Sequence, residues 1–277
     1  MRGTATLTCR ETLGKHWPEY LIEAWALGMF MVSAGLFTVL LESSRSPVRA
    51  LLADADVRRA IVGLAMGFTA IALIYSPWGQ RSGAHMNPAV TLSFLLLGKM
   101  QAWDALFYSV AQVVGGIAGV LLAWLIAGAA FSAPEVNFVA TLPGNAGVGA
   151  AFIAEFGISA LLMMTVLTVL ARPRIARYTG LFAGVLIACF VTFEAPLSGM
   201  SMNPARSLAS ATPSDLWQHF WIYVLAPVLG MALTALAHQR LSTHAAAGCA
   251  KLVHLSGVPC IHCGYEPDDA CQSATER

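Results

Sequence analysis

The chain has 277 residues, of which 57% are hydrophobic and only 11% are charged, and its formal net charge is +1. A soluble domain usually has about 25% charged residues, so this composition indicates a protein that crosses a membrane several times. A charge so close to neutral argues against a nucleic-acid partner and against a strongly basic membrane-surface domain.

Six apolar stretches approach the length of about 20 residues that a helix needs to cross a bilayer. The first stretch is longer than the apolar core of about 7–15 residues in a signal peptide, so we interpret it as a retained span after a polar tail, residues 1–16. The alternating pattern of a membrane β-barrel is not seen. The predicted fold class is an all-α membrane protein with spans at 17–41, 60–76, 102–131, 149–171, 178–195 and 216–239.

A similar phrase occurs twice: SGAHMNPAV at 82–90, between the second and third spans, and SGMSMNPARS at 198–207, between the fifth and sixth. Asn is a favoured helix N-cap and Pro is favoured at the first helical position, so each Asn-Pro predicts the start of a helix. Both helices are too short to cross a bilayer. We therefore predict two re-entrant half-helices, which are tolerated at membrane depth only inside protein or beside a water-filled cavity.

The two halves of the chain match beyond this phrase. GLAMG at 63–67 is matched by GLFAG at 180–184, both with a G-x-x-x-G spacing that lets helix backbones approach closely, and Glu23 is matched by Glu155. Each half contains three spans, an odd number, so the two copies must insert in opposite orientations. Inverted repeats of this kind place their working site near the midplane. The copies comprise residues 17–131 and 149–240.

On the paired motifs SGAHMNPAVT and SGMSMNPARS, the chain resembles the aquaporin/major intrinsic protein family over residues 17–240. The resemblance implies an aquaporin-like right-handed bundle of six transmembrane helices plus two re-entrant half-helices, assembled as a homotetramer with one pore in each subunit. It implies a passive channel for water and small neutral solutes such as glycerol or urea that excludes protons and ions. We expect no enzymatic activity and no cofactor. The pore motifs are Asn87, Pro88, Ala89, Asn203, Pro204 and Ala205.

Only the second motif carries an arginine, Arg206, where the first has Val90. At the third helical position a cation opposes the helix dipole, and a rule broken without compensation marks a functional site. The resemblance makes Arg206 the arginine of the outer constriction.

Ungapped alignment back from Asn203 puts Val191 where many water channels have His, and Met200 at the loop position. Anchoring on GLAMG puts Met66 where an aromatic residue is usual, with Phe68 as the alternative if the gap lies elsewhere. These residues predict a more apolar and wider ring than in strict water channels. Other family markers, Ser207 and Ala211, favour water, so the range of solutes stays open.

Two carboxylates in apolar spans, Glu23 and Glu155, are interpreted as acceptors for backbone N–H groups of the two loops. His85 is expected either to brace the first loop or to line the pore, and Glu194 to face water at the mouth. If the carboxylates instead coupled an ion, the chain would be an ion-coupled transporter of a small solute. A mainly structural membrane junction protein with a poor pore is the other alternative.

The C-terminal tail, residues 241–277, contains Cys260-Ile-His-Cys263, with His254 and Cys271 nearby. Cysteine and histidine side chains are zinc ligands, but the single Cys-x-x-Cys and the other spacings fit no standard zinc site. We therefore predict a disordered tail and no metal site.

Lys and Arg residues mark cytoplasmic segments of membrane proteins. With both termini in the cytoplasm, eleven basic residues fall on that side and four, all in the 42–59 loop, fall outside. The prediction is a protein of the plasma or bacterial inner membrane with both tails cytoplasmic.

Overall fold

The computed structural model describes residues 7–242, 248–254, 257 and 259–265. These residues form an all-helical structure with six helices that are long and apolar enough to cross a membrane, as predicted. In chain order the six spans are Cys9–Glu42, Ala55–Tyr75, Ala102–Ala127, Gly147–Leu170, Thr179–Phe193 and Ile222–Leu241. Shorter helices are Pro47–Leu51, Pro77–Ser82, Ala129–Ser132 and Ala195–Ser198, with 3-10 turns at Asn137–Val139 and Ala176–Tyr178.

The first span begins earlier than the apolar pattern predicts. Its helix starts at Cys9 rather than near residue 17, because Thr8 and Glu11 form a capping box. The Thr8 hydroxyl accepts from the backbone N–H of Glu11, and the Glu11 carboxylate accepts from that of Thr8. Such a box satisfies two N–H groups that a helix start otherwise leaves open. Residues 9–16 of the predicted N-terminal tail therefore extend the first helix, while residues 1–6 lie outside the described part.

Both half-helices are present, at Pro88–Leu96 and Pro204–Ser214, and both are N-capped by the asparagine before the proline. The first half-helix packs against the sixth span, and the second packs against the third span. Each half-helix therefore lies against a span of the opposite repeat, which interlocks the two halves of the molecule.

The long spans also pack in pairs that repeat the internal duplication. The first span packs on the third, the fourth on the sixth, and the second on the fifth. The predicted glycine pairs form the last contact: a Cβ added to Gly67 would lie 2.6 Å from the carbonyl oxygen of Gly184, and one added to Gly184 would lie 2.7 Å from that of Gly67. The interpretation of these glycines as helix-packing residues is confirmed.

The described part of the C-terminal tail does not behave as a disordered segment. We call residues 248–254, 257 and 259–265 the C-terminal segment; within it Lys251, Leu252 and Val253 are buried. The backbone N–H of Leu252 donates to the carbonyl oxygen of Gly83 at 3.2 Å. The prediction of disorder was wrong for this segment, because it was based on composition, and composition does not reveal a contact with the channel body.

Candidate pore and its constriction

The first pore loop is held by one buried carboxylate. Glu23, in the first span, accepts from the backbone N–H groups of His85 at 3.0 Å and Met86 at 2.7 Å, and from the Ser82 hydroxyl at 2.7 Å. Gln112 of the third span donates to the same carboxylate at 2.8 Å. This is the predicted role of Glu23, with Gln112 as a further partner that the sequence pattern did not indicate.

The second pore loop repeats this arrangement. Glu155, in the fourth span, accepts from the backbone N–H groups of Ser201 and Met202 and from the Ser198 hydroxyl, each at 2.7 Å. Both carboxylates are completely buried. Their hydrogen bonds satisfy loop N–H groups that would otherwise be buried without an acceptor, which is costly.

The loops need this support because their backbones are strained. Ala84 and Met86 in the first loop have φ of 53° and 50°, and Met200 and Met202 in the second have 50° and 54°. For residues other than glycine this left-handed conformation costs on the order of 1–3 kcal/mol each. The strained residues fall at matching places in the two repeats, three and one residues before each asparagine, so the inverted symmetry extends to the backbone conformation.

Asn87 and Asn203 join the two loops at the centre of the molecule. Each side-chain oxygen caps its own half-helix, accepting from the backbone N–H of Ala89 at 2.8 Å or of Ala205 at 3.0 Å. Each side-chain amide donates across the centre, from Asn87 to the carbonyl oxygen of Met202 and from Asn203 to that of Met86, both at 2.6 Å. An amide has two hydrogens, so the second remains free to donate to a molecule in the pore.

A cavity of about 440 Å³ runs past both asparagines. All four predicted constriction residues, Met66, Val191, Met200 and Arg206, belong to its wall. Met66 is 3% exposed, whereas the alternative Phe68 is 68% exposed and does not line the cavity. The alignment anchored on GLAMG at 63–67 therefore identified Met66 correctly as a residue of the cavity wall. Leu252 of the C-terminal segment also belongs to the wall, and we call the part of the cavity beside it the tail end.

Arg206 is held by its backbone, and no acidic side chain of the described residues pairs with it. Its N–H donates to the side chain of Asn203 at 3.2 Å, within the first turn of the second half-helix. The guanidinium nitrogen NH1 is buried and has no hydrogen-bond partner among the described residues. A charged donor left open in a cavity wall is available to a passing molecule with acceptor oxygens.

His85 does both of the things considered for it. Its Nε2 donates to the carbonyl oxygen of Ala250 at 2.6 Å, its Nδ1 lies 3.0 Å from the Thr91 hydroxyl, and the residue also lines the cavity. Glu194 does not face water at the mouth as expected: it is 8% exposed, and neither carboxylate oxygen has a partner among the described residues.

An inverted repeat of three spans, two capped half-helices that meet N-terminus to N-terminus, and a cavity between them define a passive membrane channel with its pore inside one chain. The model of the family "Major intrinsic protein" matches residues 13–238. The chain belongs to this family, and the resemblance seen in the paired motifs is confirmed.

Curated relatives agree with this assignment. "Aquaporin NIP1-4" of Oryza sativa subsp. japonica is 30% identical over 238 residues, covering 86% of this chain and 82% of the relative. "Glycerol uptake facilitator protein-like 6" of Lactiplantibacillus plantarum is 34% identical over 228 residues, covering 78% of this chain and 94% of the relative. Both names describe transport proteins and not enzymes.

Among solved structures, the "aquaglyceroporin from Plasmodium falciparum" matches with a TM-score of 0.67 and 20% identity, covering 82% of this chain and 97% of that one. At this level of identity the likeness bears on the fold alone. The predicted aquaporin-like fold of six spans and two half-helices is confirmed.

Proposed function

We propose that the chain conducts water and small neutral solutes such as glycerol or urea, and excludes protons and ions. The observation that carries this proposal is the pair of half-helix N-termini facing one cavity, with the amides of Asn87 and Asn203 between them. Each helix N-terminus is equivalent to about half a positive charge. A neutral molecule with acceptor oxygens is attracted there, and a cation is repelled.

Passage of solutes larger than water is supported by the character of the constriction. Met66, Val191 and Met200 are apolar, which leaves Arg206 as the charged member of the four. Apolar side chains offer no hydrogen bonds to water, but they can contact the C–H groups of a polyol such as glycerol. Such a wall therefore does not select water over the polyol. The printed names of the relatives include both an aquaporin and a glycerol uptake facilitator.

Passive permeation distinguishes this proposal from an ion-coupled transporter. Both carboxylates of the repeat, Glu23 and Glu155, are occupied by loop N–H groups, which leaves them poorly suited to bind a coupling ion. In proteoliposomes, water permeability well above that of empty liposomes is expected, unchanged when proton and sodium gradients are collapsed. Flux that disappears with a gradient would favour the transporter. Permeability no greater than that of empty liposomes would favour a structural junction protein.

Val191 tests the range of solutes. With sucrose, glycerol or urea as the osmolyte, we expect glycerol or urea to enter measurably faster than into empty liposomes. Val191→His adds a polar side chain to the ring and should reduce solute entry severalfold, and water permeability less. Phe68→His, at an exposed position outside the cavity, is the matched control and should change neither rate. Background entry of every solute into wild-type vesicles would instead indicate a water-only channel.

Orientation and assembly are also part of the proposal: a homotetramer in a plasma or bacterial inner membrane, both termini cytoplasmic, without enzymatic activity or cofactor. The four basic residues of the 42–59 loop run against the charge rule, but three have acidic partners. Arg49 pairs with Glu135, Arg58 with Glu42 and Arg59 with Asp56, at 3.9, 3.0 and 2.7 Å. These ion pairs support placing the 42–59 loop on the outer side, because three of its four arginines are paired with acidic side chains there.

A further inference from the structure

Four side chains with soft metal-binding atoms converge in the C-terminal segment: Cys249, His254, Cys260 and Cys263. Their ligand atoms all lie within 4.8 Å of one another. The sulfur of Cys249 is 3.3 Å from that of Cys260, and Nε2 of His254 is 3.3 Å from the sulfur of Cys263. Zinc bonds of about 2.3 Å to sulfur and 2.0–2.1 Å to nitrogen in a tetrahedron require similar separations between ligand atoms.

We propose that these four side chains bind one zinc ion, and that the ion fastens the C-terminal segment across the tail end of the pore. Three thiolates and one imidazole form one of the standard structural zinc sets, and thiolate ligands select zinc over the harder magnesium and calcium ions.

The charge around the cluster suits this metal. Three thiolates and a divalent ion carry a net charge of −1, which a nearby cation stabilises. Lys251 lies between two of the ligands in sequence and is only 2% exposed. Its ammonium donates to the carbonyl oxygen of Pro259, the residue before Cys260, at 3.2 Å. A buried lysine beside the cluster would neutralise the zinc-loaded site.

The local backbone presents the ligands together. The backbone N–H of Gly264 donates to the carbonyl oxygen of Cys260, and that of Cys260 donates to the carbonyl oxygen of Tyr265, both at 2.9 Å. These bonds close a turn around the Cys-x-x-Cys pair, and the Tyr265 ring packs edge-on against His254 at 5.5 Å. The described part of this segment contains neither helix nor strand. A bound metal is a common means of ordering such a segment.

The same segment covers the tail end of the pore. Its residues between Cys249 and His254 contact the first pore loop: the carbonyl oxygen of Ala250 accepts from His85 at 2.6 Å, and the N–H of Leu252 donates to Gly83. The apolar side chain of Leu252 joins the cavity wall. Metal ligands therefore flank the residues that reach the pore loop and the cavity wall, so binding the ion would fix Leu252 at that wall.

The side of the cluster formed by the Cys-x-x-Cys pair is attached to the channel as well. Nε2 of His262 lies 3.3 Å from the carbonyl oxygen of Ser82 and 3.3 Å from the Tyr108 hydroxyl. Its ring stacks with that of His85 at 6.1 Å. Zinc would thus link two docked stretches of one segment, and loss of zinc would free them to separate.

Metal binding is tested without reference to transport. Purified full-length protein, kept reduced, is expected to contain one zinc ion per chain by elemental analysis, and to show thiolate-to-cobalt absorption when Co²⁺ replaces zinc. Cys260→Ser and Cys263→Ser should lose both signals. Cys189→Ser, at an exposed cysteine of the fifth span, is the matched control and should keep them. Absence of bound metal in the reduced wild type, a Cys249–Cys260 disulfide in its place, or unchanged binding by Cys260→Ser would overturn the site.

Closure of the pore rests on the proposed function and is measured separately, as water permeability of proteoliposomes. Removing zinc with a chelator should raise permeability severalfold, and adding zinc back should reverse the change in wild type but not in Cys260→Ser. Leu252→Ala should bind zinc normally yet permit faster flux. Permeability that is identical with and without bound zinc would overturn closure. Permeability at the level of empty liposomes in every variant would contradict the proposed channel function and leave the metal result standing.

Discussion

Replacing Arg206 by valine is expected to leave substantial water permeation and to make the channel leak protons or small cations. Valine is the residue that the first repeat carries at the matching position, Val90, so the substitution restores symmetry. At an effective dielectric constant of about 20, a unit cation roughly 4 Å from the guanidinium is repelled by about 4 kcal/mol. That corresponds to roughly a thousandfold in rate, because about 1.4 kcal/mol is tenfold.

The two half-helix N-termini remain in this variant as a second barrier, so we expect a leak and not a fully open ion pore. A pH-sensitive dye inside vesicles measures proton entry, with water flux recorded in the same vesicles. Arg59→Gln is the matched control: Arg59 also lines the cavity, but its guanidinium is bound to Asp56 and to the carbonyl oxygen of Thr192. It should stay proton-tight. If the Arg206→Val variant conducted water and admitted protons no faster than wild type, the half-helix N-termini alone would be enough to exclude protons.

The opposite change, Val90→Arg, should block the pore or prevent folding. Val90 is 6% exposed and lines the same cavity, so an arginine there would add a second positive charge to the wall of that cavity, on the other half-helix. Water flux near the background of empty liposomes is the expected reading.

Replacing Glu155 by glutamine is expected to collapse the second pore loop. The two oxygens of Glu155 accept from the backbone N–H groups of Ser201 and Met202. Glutamine keeps one acceptor oxygen and replaces the other by an NH₂ donor, so one of these N–H groups loses its acceptor. A buried N–H without an acceptor costs about 1–3 kcal/mol, and the strained φ at Met200 and Met202 would then lose its support. Total stabilities of about 5–15 kcal/mol make such a loss large. Lower thermal stability in detergent, and water permeability near background, are the expected measurements.

Glu194 supplies a matched control for this experiment. It is a buried carboxylate in the same half of the chain, but neither oxygen has a hydrogen-bond partner among the described residues. Exchanging a buried charge for a neutral amide relieves desolvation, so Glu194→Gln should fold as well as wild type or better. If Glu155→Gln were as stable and permeable as Glu194→Gln, the carboxylate would not be what holds the loop.

Local features of this channel were predictable from the sequence because their causes are local. Asn87 and Asn203 cap half-helices since the asparagine, the proline and the capped N–H are neighbours in the chain. Because the two halves are repeats, Glu23 and Glu155 occupy matching positions, and both were predicted to accept hydrogen bonds from loop N–H groups. Met66 was identified because the glycine pair beside it fixes the face of the second span.

What sequence reasoning missed depends on contacts between distant residues. No periodicity connects Ala250 to His85, which are 165 residues apart, so the docked segment was predicted to be disordered. The four proposed zinc ligands have irregular spacings because a looped segment, and not a helix or strand, brings them together. Glu194 was expected to face water because it lies near the end of the fifth span. Its position in the sequence does not reveal which residues pack over it, and the structure shows it buried.

The reciprocal bonds from Asn87 to Met202 and from Asn203 to Met86 also bear on how the protein is made. A ribosome finishes the first loop when its partner, 115 residues further along, does not yet exist. Until then the carbonyl of Met86 has no donor from the opposite loop, and the Asn87 amide has no carbonyl to reach. The first half is therefore an incomplete unit in the membrane until the second loop has been made, and the bonds at the centre of the pore form only then. A chain that stalls before the second loop therefore lacks both of the bonds that join the two loops at the centre.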